Sequence, residues 1–280
     1  MSNSASTPDG SRSDVMLTNI AETFVAARRS AENLTDYPGT VPSDLELAYR
    51  VQDIAIGLWP DSIVGWKVGQ IRPEAREHFG TDRMLGPLFK RHVLYTTDST
   101  PIPMPFFAGA FAVAEAEYVA VLKHDAPTDK QVWTLDESMA MVGDLRIGLE
   151  TAGSPLPGLN EYGAAAVVSD FGAHGGLVVG PSIPGWRARN LDALTCEAYV
   201  DDKRVGTGGT VKLHGGIARS MQVALENTTA RGRPLNAGDV ISTGAATGVH
   251  PVAPGQVARI EFGSGGAVAC RVIAATAVED

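Results

Sequence analysis

The sequence predicts an α+β fold, rich in β-structure, in which a mixed sheet is rolled and a group of helices forms an N-terminal cap. Two observations lead to this prediction. Apolar residues in the N-terminal part recur at helical spacing, whereas the chain after Pro60 consists of short apolar runs separated by Gly, Pro and Asp. Many strands with few helices favour a rolled mixed sheet over a doubly wound one.

The chain is predicted to divide into three parts. Residues 1–13 are polar and are expected to be disordered. Residues 14–60 are expected to form the helical cap, and residues 61–280 a β-rich domain that carries any catalytic site.

Four helices are predicted. Apolar residues recur every four positions over residues 14–29, the spacing of one helical face. A second helix is expected after Ser43, which has the spacing of a capping box with Glu46. Two further helices are predicted within the β-rich part, over residues 134–145 and 216–230.

The predicted strands are short apolar runs bounded by turn-forming residues. They are IVGWKVG, AVAEAEYVAVL, AAAVVSDFG, GGLVVGP, LTCEAYVDDKRVG, DVISTGAATG and VARIEF. Two hairpins are expected, one turning at Asp201 and Asp202 and the other at the GSGG stretch of residues 263–266.

The composition favours a globular protein that acts on a small molecule. The 280 residues are 44% hydrophobic, and 32 acidic against 23 basic residues give a net charge of −9. This charge argues against nucleic acid and anionic membranes as partners. The two cysteines, Cys196 and Cys270, lie far apart without metal or redox spacing, and neither a signal-peptide core nor a membrane-length apolar run is found. We therefore expect a cytoplasmic protein with reduced cysteines.

Two glutamates interrupt the apolar strand AEAEYVAVL. Strand alternation places Glu115 and Glu117 on one face, where unpaired burial is costly and like charges raise each other's pKa. Glu150, at the end of another apolar run, offers a third carboxylate. Three carboxylates suit a hard divalent cation, Mg²⁺ or Mn²⁺, that keeps positions for a chelating substrate. From spacing alone, a solvated strand face is the more common explanation for such a pair.

Four segments, in order, resemble those of the fumarylacetoacetate hydrolase superfamily. They are GWKVGQIRPEAREHFGTDRMLGPLF (65–89), AEAEYVAVL (114–122), GLETAGSPLPG (148–158) and AGDVISTGAATGVHPVAPGQVARIEFG (237–263). They are most similar to the branch of 2-keto-4-pentenoate hydratases and 4-oxalocrotonate decarboxylases. The resemblance implies the rolled sheet of that superfamily, a homo-oligomer, and association with a paralogous decarboxylase or hydratase.

The resemblance also implies roles for five residues. Glu115, Glu117 and Glu150 would be the ligands of a Mg²⁺ or Mn²⁺ ion. Lys67 matches the active-site lysine of the G-x-K-V-G segment, and Asp82 matches an acid/base aspartate of the hydratases. The alternatives are a surface lysine at a strand end and a turn-forming aspartate.

The segment DFGAHGG departs from the D-N-A-S-x-G pattern of the hydratases. Phe171 and Ala173 stand where asparagine and serine are expected, so two polar partners of the substrate are missing. Asp170 and His174 in this segment, and Arg72 after the lysine, are candidate substrate-binding residues, since an arginine fork matches a carboxylate. An exposed arginine and a buried, hydrogen-bonded histidine are the alternatives. These departures indicate a changed substrate, such as a bulkier or less charged 2-oxo acid.

A last candidate substrate-binding residue, Thr247, belongs to the STGAATG stretch of residues 242–248. No helix follows this stretch to supply a phosphate-binding dipole. We expect it to shape a pocket through close backbone approach.

The activity implied by the resemblance is that of a lyase. A hydratase of this branch would add water to a 2-hydroxy-2,4-dienoate or 2-oxo-enoate from aromatic catabolism, through a metal-stabilised enolate. The same metal site would serve a decarboxylase of 4-oxalocrotonate type or an acylpyruvate C–C hydrolase. A third alternative is an inactive family member that binds an active paralogue. A Lys67 side chain turned to solvent would contradict the enzymatic alternatives.

Overall fold

The computed structural model of the chain describes the backbone of residues 8–278 and the side chains of residues 13–278. Over this part the chain forms α-helices and two β-sheets. The helices are α1 (Pro8–Ser30), α2 (Leu45–Leu58), α3 (Arg76–Phe79), α4 (Leu135–Ala140), α5 (Ala164–Ser169) and α6 (Gly216–Ala230). None of them combines the length and apolar character that crossing a membrane requires.

The strands are named in chain order. They are β1 (Ile63–Gln70), β2 (Arg83–Phe89), β3 (Val93–Tyr95), β4 (Ile102–Phe106), β5 (Phe111–Leu122), β6 (Val142–Ser154), β7 (His174–Ser182), β8 (Thr195–Val200), β9 (Lys203–Gly209), β10 (Val240–Ser242), β11 (Val249–Pro251), β12 (Val257–Glu261) and β13 (Ala267–Ala274).

The first sheet has the order β2-β1-β10-β5-β6-β7-β3, with β11 paired to β5, and the second has the order β4-β13-β12-β8-β9. Both are mixed, because β1 pairs with β10, β3 with β7 and β13 with β4 in parallel. The first sheet is strongly curled. Its strands β2 and β7 are separated by four others in the sheet order, yet the Phe89 amide at the end of β2 lies 3.4 Å from Nε2 of His174 on β7. The predicted rolled, β-rich α+β fold is confirmed.

The N-terminal helices close one side of the first sheet. Leu17, Ile20 and Phe24 of α1 are buried in an apolar cluster that also contains Phe89 of β2 and Phe171 after α5. The apolar stripe predicted for the first helix is therefore the face that packs. Burial of these large side chains contributes roughly 1.5–3 kcal/mol each to holding the cap against the sheet.

Several local predictions are correct. The helix expected over residues 216–230 is α6, and both hairpins form, β8 with β9 and β12 with β13. Asp201 and Asp202 have φ of 48° and 63°, the left-handed pair that a tight hairpin turn needs.

Two helix starts differ from prediction. α1 begins at Pro8, a residue well suited to a first helical position, so the segment expected to be disordered is helical from residue 8, and residues 1–7 lie outside the described part. No apolar stripe marks that polar first turn. α2 is capped by Asp44, whose carboxylate accepts a hydrogen bond from the Leu47 amide at 2.9 Å, so the capping box predicted at Ser43 is wrong.

Two internal assignments also need correction. The helix predicted to reach residue 145 ends at Ala140, because the chain from Val142 onward pairs with β5 as part of β6. The run AAAVVSDFG is not a strand, since its first six residues form α5. Alanine has the highest helix propensity, and periodicity cannot separate a short buried helix from a buried strand.

Candidate metal centre and active site

Glu115, Glu117 and Glu150 meet on one face of the first sheet, called here the site face. Glu115 of β5 pairs with Glu150 of β6, and Glu117 pairs with Gly148. Paired residues direct their side chains to the same side of a sheet. One carboxylate oxygen of each glutamate lies within 4.8 Å of the others. This arrangement can hold a single metal ion.

Lys67 reaches the same face from β1. It pairs with Ser242 of β10, which pairs with Val119, two residues beyond Glu117 on β5. The lysine is 7% exposed, and its ammonium forms an ion pair with Glu150. Lys67 is therefore directed into the carboxylate cluster and not to solvent.

The site face is apolar next to these charged groups. Leu88, Val119, Leu177, Val179 and Val240 form a buried cluster on it. Such surroundings strengthen the interactions between charges and make an unbalanced charge costly.

The cluster is electrostatically unbalanced, with three carboxylates and one ammonium. Burial raises the pKa of Glu115 to about 7, with Lys67 opposing and Glu150 adding to the rise. Burial and the charges of Glu150 and Glu115 raise the pKa of Glu117 well above its ordinary value. Burial acts to lower the pKa of Lys67, but the charges of Glu150 and Glu115 outweigh it, and the pKa is raised. Bound protons or a bound cation would neutralise the excess negative charge. A set of carboxylate oxygens fits a hard divalent cation.

The backbone after β10 supports one of the three glutamates. The Gly244 amide donates a hydrogen bond of 2.6 Å to Oε2 of Glu117. Gly244 has φ of 120°, which favours glycine. It belongs to the STGAATG stretch, which runs from the last residue of β10 to the residue before β11. This contact agrees with the close backbone approach expected for that stretch.

Asp82 lies just before β2 and is bound by two arginines. Its Oδ1 accepts hydrogen bonds from Arg219 Nε at 3.1 Å and Nη2 at 2.8 Å, and its Oδ2 lies 3.3 Å from Nη1 of Arg83. Partial burial acts to raise the pKa of Asp82, but the two arginines outweigh it and hold the pKa below its ordinary value. Asp82 is therefore an ionised carboxylate at neutral pH.

Asp170 and His174 lie at the junction between α5 and β7. Asp170 is fully buried, and its carboxylate accepts a hydrogen bond of 2.5 Å from Nε of Arg28 on α1. His174 is 2% exposed and pairs with Ala152, two residues beyond Glu150 on β6. Burial lowers the pKa of His174 well below its ordinary value, with smaller contributions from nearby positive charges that include Lys67. Its ring is therefore neutral.

Arg72 and Thr247 are more peripheral. Arg72 is exposed just after β1, which matches the alternative of a solvent-exposed arginine. Thr247 is half-buried, with its hydroxyl 3.0 Å from Nε2 of His250. Substrate binding by these two residues stays a prediction.

Three residues of this region are not predicted individually from the sequence. Gly244 belongs to the STGAATG stretch, for which only a general close backbone approach is predicted. Arg28 and Arg219 lie on helices and contact acids more than a hundred residues away in sequence, Asp170 and Asp82 respectively. No local pattern marks such pairs.

A sequence profile of the fumarylacetoacetate hydrolase C-terminal domain matches residues 78–273, well over half of the chain. The chain belongs to the fumarylacetoacetate hydrolase family. The matched region contains the three glutamates and Asp82. Lys67 lies before it.

Solved structures of this family share the fold at low sequence identity. One is 4-oxalocrotonate decarboxylase from Pseudomonas putida G7, in complex with calcium and acetate, with a TM-score of 0.75 and 20% identity over 97% of this chain and 100% of that one. Fumarylpyruvate hydrolase from Pseudomonas aeruginosa, with Mn²⁺ and pyruvate, has a TM-score of 0.56 and 17% identity over 75% and 89% of the two chains. A 5-carboxymethyl-2-hydroxymuconate delta-isomerase from Mycobacterium smegmatis has a TM-score of 0.54 and 19% identity over 77% and 81%.

Proposed function

We propose that the protein is a metal-dependent hydratase that adds water to a 2-hydroxy-2,4-dienoate or 2-oxo-enoate. The observation that carries this proposal is the cluster of half-buried Glu115 with buried Glu117 and Glu150, in which Lys67 is ion-paired with Glu150. The three glutamates would hold Mg²⁺ or Mn²⁺, as their geometry and excess charge fit a divalent ion. Bound there, the ion would act as a Lewis acid toward the carboxylate and 2-oxo groups of the substrate.

Lys67 and Asp82 would move the protons. Lys67 Nζ, protonated at neutral pH, would bind the substrate carboxylate or deliver a proton to carbon. The Asp82 carboxylate, kept ionised by Arg219 and Arg83, would accept the proton of the incoming water. An ionised acid together with a protonated lysine suits the addition of H and OH across a double bond.

Decarboxylation is the second candidate. The structure of 4-oxalocrotonate decarboxylase matches 97% of this chain and includes the helical cap, whereas the hydrolase and isomerase structures match 75% and 77%. The whole-chain likeness supports the hydratase and decarboxylase branch over C–C hydrolysis. Loss of CO₂ would need no base for water and would not depend on Asp82.

Ultraviolet absorbance would test the class, with 2-hydroxy-2,4-dienoates and 4-oxalocrotonate as substrates in the presence of Mg²⁺ or Mn²⁺. We expect a metal-dependent loss of the conjugated chromophore that chelator abolishes, and mass analysis should show a gain of water. A product that has lost CO₂ would establish the second candidate. No change with any substrate would contradict both and favour an inactive partner of a paralogue.

The family likeness also leads us to propose a homo-oligomer. Sedimentation should give a multiple of the 29.4 kDa chain mass. A monomer at all concentrations would contradict this.

A further inference from the structure

Arg28 on α1 binds the segment that leads into the site. Its guanidinium is buried and donates to the Asp170 carboxylate at 2.5 Å, to the His174 carbonyl at 2.8 Å and to the Asp170 carbonyl at 3.2 Å. A further hydrogen bond of 2.9 Å goes to the Gly153 carbonyl of β6. Arg28 thus fastens both ends of residues 170–174, and it joins them to the cap and to the strand that carries Glu150.

The segment held by Arg28, residues 170–174, has an unfavourable backbone conformation. Phe171, Gly172 and Ala173 have φ of 53°, 64° and 58°, so three consecutive residues are left-handed. Each non-glycine residue in that region costs roughly 1–2 kcal/mol, and such conformations persist only where surrounding contacts fix them. The Arg28 hydrogen bonds at the two ends of the turn are contacts of this kind.

The turn lies directly beside Lys67. Lys67 pairs with Gly86 of β2, so a side chain at position 86 would point to the same face as the lysine. A Cβ atom there would lie 2.2 Å from the Phe171 carbonyl oxygen and 2.8 Å from the Gly172 Cα. The backbone of the turn therefore occupies the space next to Lys67 on the site face.

His174, the residue that follows the turn, has a ring nitrogen without a hydrogen-bond partner among the described residues. Nδ1 of His174 is buried and has no hydrogen-bond partner among the described residues, while Nε2 lies 3.4 Å from the Phe89 amide. A neutral imidazole that accepts at Nε2 carries its proton on Nδ1. Burying that donor without a partner is unfavourable, which favours a ligand group as its acceptor.

We propose that Arg28 and Asp170 form a clamp from the cap to the site, which holds the left-handed turn and so positions His174 to donate Nδ1–H to the substrate. Arg28 and Asp170 are positioning residues. Asp170 thus acts through the turn and not as a substrate ligand. The consequence for substrate binding rests on the proposed function, whereas the clamp itself does not.

Hydrogen–deuterium exchange of the metal-free protein tests the clamp without any substrate. Asp170→Asn keeps the shape of the side chain and removes its charge. Arg28→Lys keeps the positive charge and removes the guanidinium group that makes several hydrogen bonds at once. We expect the amides of residues 171–175 to exchange at least about tenfold faster in both variants. The control is Arg50→Lys, an exposed arginine of α2 paired with Asp14, which should leave this exchange unchanged. Unchanged protection in Asp170→Asn would overturn the clamp, even if Arg28→Lys fails to fold.

A double-mutant cycle tests whether the clamp acts through His174. Asp170→Asn and His174→Ala should each raise KM for the active substrate by about tenfold with a smaller change in kcat. The double variant should resemble His174→Ala alone, because the clamp has nothing left to position. Additive effects, or a loss of kcat at constant KM, would contradict positioning. A wild-type protein inactive on all substrates would refute the proposed function, while the exchange result would still decide the clamp.

Discussion

At the scale of single residues, Lys67 and the metal are expected to compete for the same oxygen atoms. The lysine is ion-paired with Glu150, which is also one of the three candidate ligands. Its ammonium partly balances the cluster, but one positive charge cannot neutralise three carboxylates. Lys67 therefore cannot replace a divalent ion.

Replacing this lysine should separate metal binding from chemistry. In Lys67→Ala we expect Mn²⁺ affinity equal to or higher than in the wild type, because Glu150 loses its competing partner. Turnover should fall at least about 100-fold, the usual contribution of a proton-transferring group. Calorimetric titration with Mn²⁺ and steady-state kinetics would check both. Loss of metal binding would instead assign Lys67 a structural role.

The shared face of two of the candidate ligands could be predicted from sequence because strand alternation is a local signal. Strand alternation predicts that Glu115 and Glu117 lie on one face, and in the structure both side chains lie on the site face. The roles of Lys67 and Asp82 came from the family motif alone. The partners of Asp82 and Asp170 could not be predicted, since contacts between a helix and a distant strand end depend on tertiary packing.

At the scale of elements, the packing of β2 against the left-handed turn controls the shape of the site. Gly86→Ala would force the Phe171 carbonyl away from the space beside Lys67. We expect a loss of about 1–3 kcal/mol in the free energy of unfolding and a loss of turnover. Urea denaturation and kinetics would measure them.

Gly57→Ala is the matched control for this change. Gly57 lies on the exposed side of α2, and an added Cβ would meet nothing within 4 Å. It should stabilise the protein by about 0.5–1 kcal/mol with unchanged activity. If Gly86→Ala and Gly57→Ala had the same free energy of unfolding and the same turnover, the turn would not depend on Gly86.

Element types were predictable where periodicity was long or turns were distinctive. The hairpin at Asp201 and Asp202 and the long helix α6 are of this kind. The strand predicted for the run AAAVVSDFG is wrong because its six helical residues, five of them buried, carry no period that separates helix from strand. Within the DVISTGAATG run, residues 240–242 form the strand that pairs with β1 and β5, whereas the Gly244 amide donates to the Glu117 side chain.

At the scale of the whole molecule, the carboxylate cluster should make stability depend on pH. The pKa of Glu115 is about 7 in the folded protein against an ordinary value of 4.5, so the folded state holds a proton that the unfolded state releases. In chelator, stability should therefore fall as pH rises from about 4.5 to 7, by an amount on the order of 3 kcal/mol.

Bound Mg²⁺ or Mn²⁺ should remove this fall, because the ion favours the ionised carboxylates. Thermal denaturation at several pH values, with chelator and with Mn²⁺, would show the two curves diverging as pH rises. Parallel curves would contradict a metal bound by these carboxylates.

The most direct test of the central claim is calorimetric titration of Mn²⁺ into the wild type, Glu117→Gln and Glu74→Gln. Glu117→Gln removes one charge of the cluster at nearly constant volume, whereas Glu74 is exposed outside it. We predict one ion per chain in the wild type and in Glu74→Gln, and no binding in a folded Glu117→Gln protein. Equal binding by all three proteins would contradict a metal centre at Glu115, Glu117 and Glu150.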